Sequence, residues 1–444
     1  MTTSLMVSLC LTSVAWAGIS REEKSELKST NQAYQETSAE EALAGFSLDE
    51  AVRFGMLRNA ALRSAYYKWK ASVHDIDQAV SLEDPQIGFK TFIDEVETRV
   101  GAQKEMYSVS QMLPFPGKLS TKGAVATAMS RQKHAEYQKA KLQYLYELKD
   151  AYFEYWYLRK NILVTEKNME LLKHFEGVAQ SKFKSSQSSN QDLLKAQVEL
   201  GILQNEILTL NDYRNPVIAR LNAVLNRDIG SLLAWPEELD HQVIDLDKEY
   251  VFERFLENNP DLKKSNQRII EAKKKVWLAR LDYLPDFMIG YDYIRVDQRP
   301  IALIDNGKDA SAATIKINMP LWFGKQQSQL DEAKSLESVS DSEKIQLEKN
   351  LSAKIETVIF KLKDSARQIR LYRDALIPKA EQSLKASETA YSAGNIDFLN
   401  LIDSERTLLK FQLAYYRSIR DYEKRLSELE MIVGEPLRGE GYGK

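Results

Sequence analysis

Cysteine is almost missing: Cys10 is the only one in 444 residues, and it sits in an apolar stretch at the start of the chain. A disulfide framework, dithiol redox chemistry and a thiolate metal site are therefore excluded for the body of the protein. Glycine and proline are scarce as well, at 18 and 11 residues, which disfavours a fold built from many turns and favours long uninterrupted elements. No charge of one sign dominates. The 61 basic and 64 acidic residues leave a formal net charge of −3, and no basic block of the kind that nucleic acid requires is present. Hydrophobic residues at 43% together with charged residues at 28% exclude both a disordered chain and a bundle of membrane-crossing helices.

Catalytic signatures are equally sparse. His74, His134, His174 and His241 are scattered, with no second metal ligand at helical spacing. The chain has no phosphate-binding loop, no dinucleotide glycine fingerprint and no nucleophile elbow. The plentiful Asp and Glu read as solvated faces of charged helices. The expectation is no enzyme, no cofactor and no resident metal.

What the chain does have begins with "MTTSLMVSLCLTSVAWAG", an apolar run ending in the small-x-small pattern Ala15-Trp16-Ala17. Residues 1–17 read as a secretory leader. Leu9 stands where a lipidation box requires a small residue, so Cys10 is a poor acylation site. Residues 18–45 are polar, lack a firm apolar stripe and read as a loosely ordered lead-in.

The remainder repeats. "NAAL" at Asn59–Leu62 matches "NPDL" at Asn259–Leu262, and Pro85 falls on Pro285 at the same offset. "LPFPGK" at Leu113–Lys118 faces "MPLWFGK" at Met319–Lys325. Phe183 and Tyr391, Leu193 and Leu401, and Leu221 and Leu429 form further pairs. Two copies of one unit follow, 46–240 and 241–437, with a short tail at 438–444.

Each copy reads as a helix, two strands and two very long helices. The first helices cover about 48–82 and 248–283, ending before Pro85 and Pro285 because the residue preceding proline is pushed out of the helical region. The strands are expected at 86–93, 106–113, 287–296 and 312–319, rich in β-branched and aromatic residues. Polar loops, "DEVETRVGAQK" and "DQRPIALIDNGKDAS", join them in pairs. Eight to ten residues is about the length of a tilted bilayer-crossing strand. Phe115, Trp322 and Phe323 beside the strands fit either an interfacial aromatic belt or ordinary core packing.

The long helices carry a coiled-coil seam. Leu200, Leu203, Ile207, Leu210, Val217, Leu221 and Val224 recur at steps of three, four or seven. Between Lys118 and Phe183 the helical pattern is unbroken, a span on the order of 100 Å at about 1.5 Å per residue. Pro216 and Pro378 lie within such runs and are expected to kink them. Two short stretches mark hairpin tips: "FKSSQSSNQDLLKAQ" from Phe183, and "YSAGNIDFLNLIDSER" from Tyr391. Gly394 and Asn395 read as turn residues with positive φ.

Four strands cannot cross a membrane alone, since their edges would leave amides unpaired in hydrocarbon. Several copies would have to share one barrel. The duplication, the two strand–helix junctions and the two tips together resemble the outer-membrane efflux proteins, the TolC family, over about 46–437. The resemblance implies a mainly α fold with a transmembrane β-barrel part: a trimeric outer-membrane barrel continued by a periplasmic coiled-coil α-barrel. It implies the exit duct of a tripartite efflux or secretion system in a Gram-negative outer membrane, in contact with outer-membrane lipid and without nucleic acid. The partners it implies are a periplasmic adaptor and an inner-membrane pump of the resistance-nodulation-division or ABC type.

The resemblance also places a periplasmic gate at Leu399, Asp403 and Arg406. Asp403 would form an acidic ring, Arg406 would tie neighbouring helices by ion pairs, and Leu399 would narrow the passage. On the residues alone, Asp403 and Arg406 also fit an ordinary i,i+3 surface pair. Lys195 takes the place of Asp403 in the first copy, so only the second tip would carry the acidic group. Adaptor docking is expected at Ser185, Ser186 and Asn190 on the first tip and at Ala393, Gly394, Asn395 and Phe398 on the second. The competing reading is a periplasmic adaptor or coiled-coil scaffold without a pore, although no lipoyl-like, glycine-rich segment flanks the hairpins.

Overall fold

The computed structural model of the chain describes residues 19–36, 46–185, 189–239, 241–300 and 304–438. The leader with Cys10, Ser186 of the first tip and residues 439–444 of the tail lie outside these. Ten α-helices and four strands run in the order α1 (Arg21–Glu36), α2 (Leu48–Arg58), α3 (Ala60–Val80), β1 (Gln86–Thr98), β2 (Gly101–Leu113), α4 (Lys118–Lys184), α5 (Asn190–Val224), α6 (Lys248–Asn258), α7 (Pro260–Leu281), β3 (Asp286–Val296), β4 (Ala310–Asn318), α8 (Phe323–Leu371), α9 (Ile377–Ser392) and α10 (Phe398–Val433) among the described residues. The element order of the first half thus recurs in the second. Spatial compactness divides the chain differently, into one unit of Met1–Lys28, Tyr67–Ala135 and Lys263–Gln346, and another of Ser29–Tyr66, Glu136–Leu262 and Leu347–Lys444.

The first unit holds the sheet. Its strands pair antiparallel in the order β1-β2-β3-β4, so β1 and β4 are its edges. Register sorts the side chains by chemistry. Ile87 faces Val109, Phe89 faces Tyr107, and both partners face Tyr291 and Tyr293 in turn. Ile289 and Phe287 continue that side to Ile315 and Ile317. Because side chains alternate along a strand, the opposite side receives Lys90, Ser108, Ser110, Asp292, Thr314 and Lys316. The apolar side is bare: Ile87 is 86% exposed and Ile315 73%. A soluble sheet would bury that side. One apolar and one polar face is the alternation of a lipid-facing barrel wall.

The first hairpin is longer than expected. The strands run through most of "DEVETRVGAQK" to a two-residue turn, with Thr98 paired to Gly101. Cross-strand ion pairs hold this polar extension, Lys104 with Glu95 and Arg295 with Glu105. At the other end, the junction "LPFPGK" is tied to the second copy. The buried ammonium of Lys118 donates to both carboxylate oxygens of Asp286 at 2.9 and 3.1 Å and to the Leu284 carbonyl. The Phe115 amide reaches the same carboxylate. Trp322 and Phe323 beside β4 are largely exposed.

In the second unit the long helices bury the expected seam, including Leu200, Leu203, Leu210, Val217 and Leu221. Each predicted first helix is broken in two at an asparagine. Asn59 ends α2 and Asn259 ends α6, both with extended ψ. Each side chain then does the same two things. Its Oδ1 accepts from the amide of Leu62 or Leu262, and its Nδ2 donates to the carbonyl of Val224 or Ile432. The long helix that each break grips ends on a left-handed residue, Asn226 or Gly434.

Two other expectations change. Residues 21–36 form a helix rather than a loose lead-in, since Leu27 and Tyr34 are buried and Tyr34 packs edge-on against Tyr66. Pro216 stays within α5, but upstream of Pro378 the chain takes up a π-helical turn over Tyr372–Leu376.

Candidate functional site at the hairpin tips

Both tips belong to the second unit, where α4, α5, α9 and α10 meet over a shared core. Phe175 of α4, Leu200 of α5, Leu384 of α9 and Leu401 of α10 lie in it. The second tip is a Schellman turn. Gly394 has φ +79°, its amide bonds to the Tyr391 carbonyl, and the Asn395 amide bonds to the Ala390 carbonyl. Only Gly394 takes the left-handed conformation here. Asn395, expected there too, does not, because one such residue already closes the motif. Asp397 then caps α10 by accepting from the Asn400 amide at 3.1 Å.

Phe398 corrects a second expectation. It is fully buried, stacked edge-on against Tyr391 at 5.3 Å, so it fixes the turn from inside and offers nothing to a docking partner. Ser185, Asn190, Ala393, Gly394 and Asn395 are exposed. Lys182 of the first hairpin caps the second, donating to the Tyr391 carbonyl with its ammonium 4.7 Å above the Tyr391 ring.

The three gate candidates lie on the first three turns of α10. Leu399 is half exposed and Asp403 is exposed. Arg406 does not pair with Asp403. Its guanidinium forks onto Glu199 of α5, with Nε 3.1 Å from Oε2 and the second nitrogen on Oε1. That hydrogen bond raises the Arg406 pKa further above its ordinary value, against the opposing effect of partial burial. The ion pair therefore joins the two hairpins. Beside it, Leu194, Lys195, Val198, Leu399 and Ile402 line a groove of about 270 Å³. Lys195 thus lies close to the feature it was expected to contrast with.

Sequence reasoning missed Glu199 and Glu405. Glu405, next to Arg406, is 2% exposed and on the core side of α10. Its burial, with Glu199 adding repulsion and Arg406 opposing, pushes the carboxyl up to about 7. An acid among Leu401, Ile402 and Leu408 was the available signal. Among the described residues no group of three or more His, Asp or Glu could hold a metal ion, and no helix is long and apolar enough to cross a membrane.

Comparison with known proteins finds likenesses to one family and one fold. Residues 251–435 match the family described as outer membrane efflux protein. The matched stretch lies within the second copy of the repeat. The chain is 20% identical over 338 residues to nodulation protein T of Rhizobium leguminosarum bv. trifolii, covering 74% of this chain and 70% of that one. Its fold is similar to that of the outer-membrane channel OprN, with a TM-score of 0.75 at 16% identity, over 87% of this chain and 89% of OprN. The outer-membrane protein VceC of Vibrio cholerae gives a TM-score of 0.71 at 18% identity, over 88% and 97%. Over most of its length the chain thus shares the fold of these outer-membrane proteins.

Proposed function

We propose that this chain is an outer-membrane efflux protein with a large periplasmic portion, that three copies close one barrel, each giving four strands, and that the duct passively conducts substrate delivered by a periplasmic adaptor and an inner-membrane pump of the resistance-nodulation-division or ABC type. The observation that carries this reading is the open sheet. Among the described residues it has a largely exposed apolar face and two edges, β1 and β4, that pair with no further strand. In hydrocarbon such edges are intolerable unless neighbouring copies pair with them. Crosslinking of the detergent-extracted protein should trap a trimer, and the same material should conduct in planar bilayers. Recovery of monomer or dimer alone would overturn the shared barrel.

The exposed tip residues support adaptor docking. Small, polar turns permit close backbone approach, and a trimer presents six of them at once, so modest contacts add. Gly394 is the sharpest probe. A side chain there meets nothing within 4 Å in the protein itself, so its cost to the fold is confined to the left-handed backbone, roughly 1–2 kcal/mol. Gly394→Leu should abolish export while trimer assembly and membrane insertion persist. Normal export by that variant would remove the docking role. The gate is proposed at Leu399, Asp403 and Arg406, with Arg406 acting through Glu199.

A further inference from the structure

We infer that Glu405 is a further gating residue, a protonatable brace behind the Arg406–Glu199 clamp that holds the two hairpins together when neutral and loosens them when ionised. The inference rests on the reading of this tip as the gate. Its geometry is independent of that reading. Glu405 lies on the face of α10 that carries Leu401, Ile402 and Leu408 into the core, and Oε1 has no hydrogen-bond partner among the described residues. A neutral carboxyl tolerates such a place far better than a carboxylate does.

The charges that act on Glu405 come from α5 and from α10 itself. Glu199, whose side chain is 13% exposed, repels it, and Arg406 attracts it. Of the charged groups of α4 and α9 near the tip, Lys182 donates to the Tyr391 carbonyl, His174 pairs with Glu388, and Glu176 accepts from Gln197. Once ionised, Glu405 is attracted to Arg406, which Glu199 already holds. Two carboxylates then compete for one guanidinium at the seam that joins the hairpins. In the first copy the residue in the same place is Gln197, which is exposed and cannot ionise. The brace belongs to the second hairpin alone.

The direction follows from proton uptake. Free in an opened seam, the carboxyl titrates near its ordinary 4.5; packed, it titrates near 7. Between those values the closed seam binds the extra proton, so closure weakens as pH rises through this window and changes no further above it.

Amide deuterium exchange on the purified full-length protein reads this without relying on conductance. Peptides covering the start of α10 are compared between wild type and Glu405→Gln at each pH, so that the intrinsic pH dependence of exchange cancels. The ratio of wild-type to variant exchange should rise at least about tenfold from pH 5 to pH 8, one pKa unit being a factor of ten. A ratio that stays flat overturns the inference. Glu199→Gln provides a second arm should the first variant fold poorly. With the repelling charge gone, the pH at which wild-type protection falls should move toward acid, and an unmoved profile counts against the brace. Conductance is scored separately on the same samples. A conducting protein with a flat ratio overturns only the role of Glu405, whereas a protein that never conducts overturns the duct reading, whatever the ratio.

Discussion

Replacing Arg406 by alanine is expected to raise the open fraction of the reconstituted channel, seen as higher mean conductance in planar bilayers at low voltage. The guanidinium is half exposed, and an exposed ion pair contributes only about 0.2–1 kcal/mol. In the proposed trimer, however, three such clamps act on one aperture. If the tips part together, their summed loss of roughly 0.6–3 kcal/mol shifts opening about 3- to 150-fold, since 1.4 kcal/mol is a factor of ten. Glu199→Gln should reproduce the effect, because it removes the other half of the same fork. The double variant should add little beyond either single change. High salt should narrow the gap between variant and wild type, as it screens exposed pairs. Unchanged conductance in all three variants would show that the clamp does not restrain the aperture.

The second large effect is expected far from the tips. Asn259→Ala removes at one stroke the acceptor of the Leu262 amide at 2.9 Å and the donor to the Ile432 carbonyl at 2.6 Å. Both neighbours are buried, so two polar groups lose their partners in an apolar cluster. Each stranded group costs about 1–3 kcal/mol, which places the total at roughly 2–6 kcal/mol. Asn59→Ala removes the twin arrangement in the first copy, but Asn59 is only half-buried and water can partly substitute. Denaturant unfolding followed by circular dichroism should therefore rank Asn259→Ala well below Asn59→Ala. A midpoint for Asn259→Ala within experimental error of wild type would mean that the lock contributes nothing to stability.

These two sites mark the limits of what the sequence disclosed. The seam along α5 was legible because Leu200, Leu203, Leu210 and Leu221 recur at helical spacing and do become buried. The strands were legible where apolar and polar residues alternate, and illegible from Asp94 onward, where acids interrupt the alternation while ion pairs keep the chain extended. The breaks at Asn59 and Asn259 were hidden because asparagine is tolerable inside a helix. Its role emerges only when a carbonyl more than 160 residues away supplies the partner. At the tip, Gly394 showed itself through its backbone freedom. Phe398 did not, since nothing local distinguishes an anchoring phenylalanine from an exposed one. Arg406 was found, but not its partner, because nothing near it in sequence points to Glu199 on α5, which completes the fork.

Pro378 has a consequence for how the helices between the strands and the second tip must be counted. Proline lacks an amide to donate, and the chain absorbs one additional residue just before it, where the Ile377 amide reaches back to the Tyr372 carbonyl. From Ile369 to Ala380, both buried, is close to three whole turns of a regular α-helix, so by sequence counting alone they would share a side. The absorbed residue turns the later one away by roughly a quarter of the circumference. Ile369 packs with Tyr422 and Leu426, and Ala380, further along the rod, with Phe398 and Leu401. One surplus residue thus works as a phase shifter, and the rod on either side of it keeps two different cores with a single uninterrupted heptad-like text.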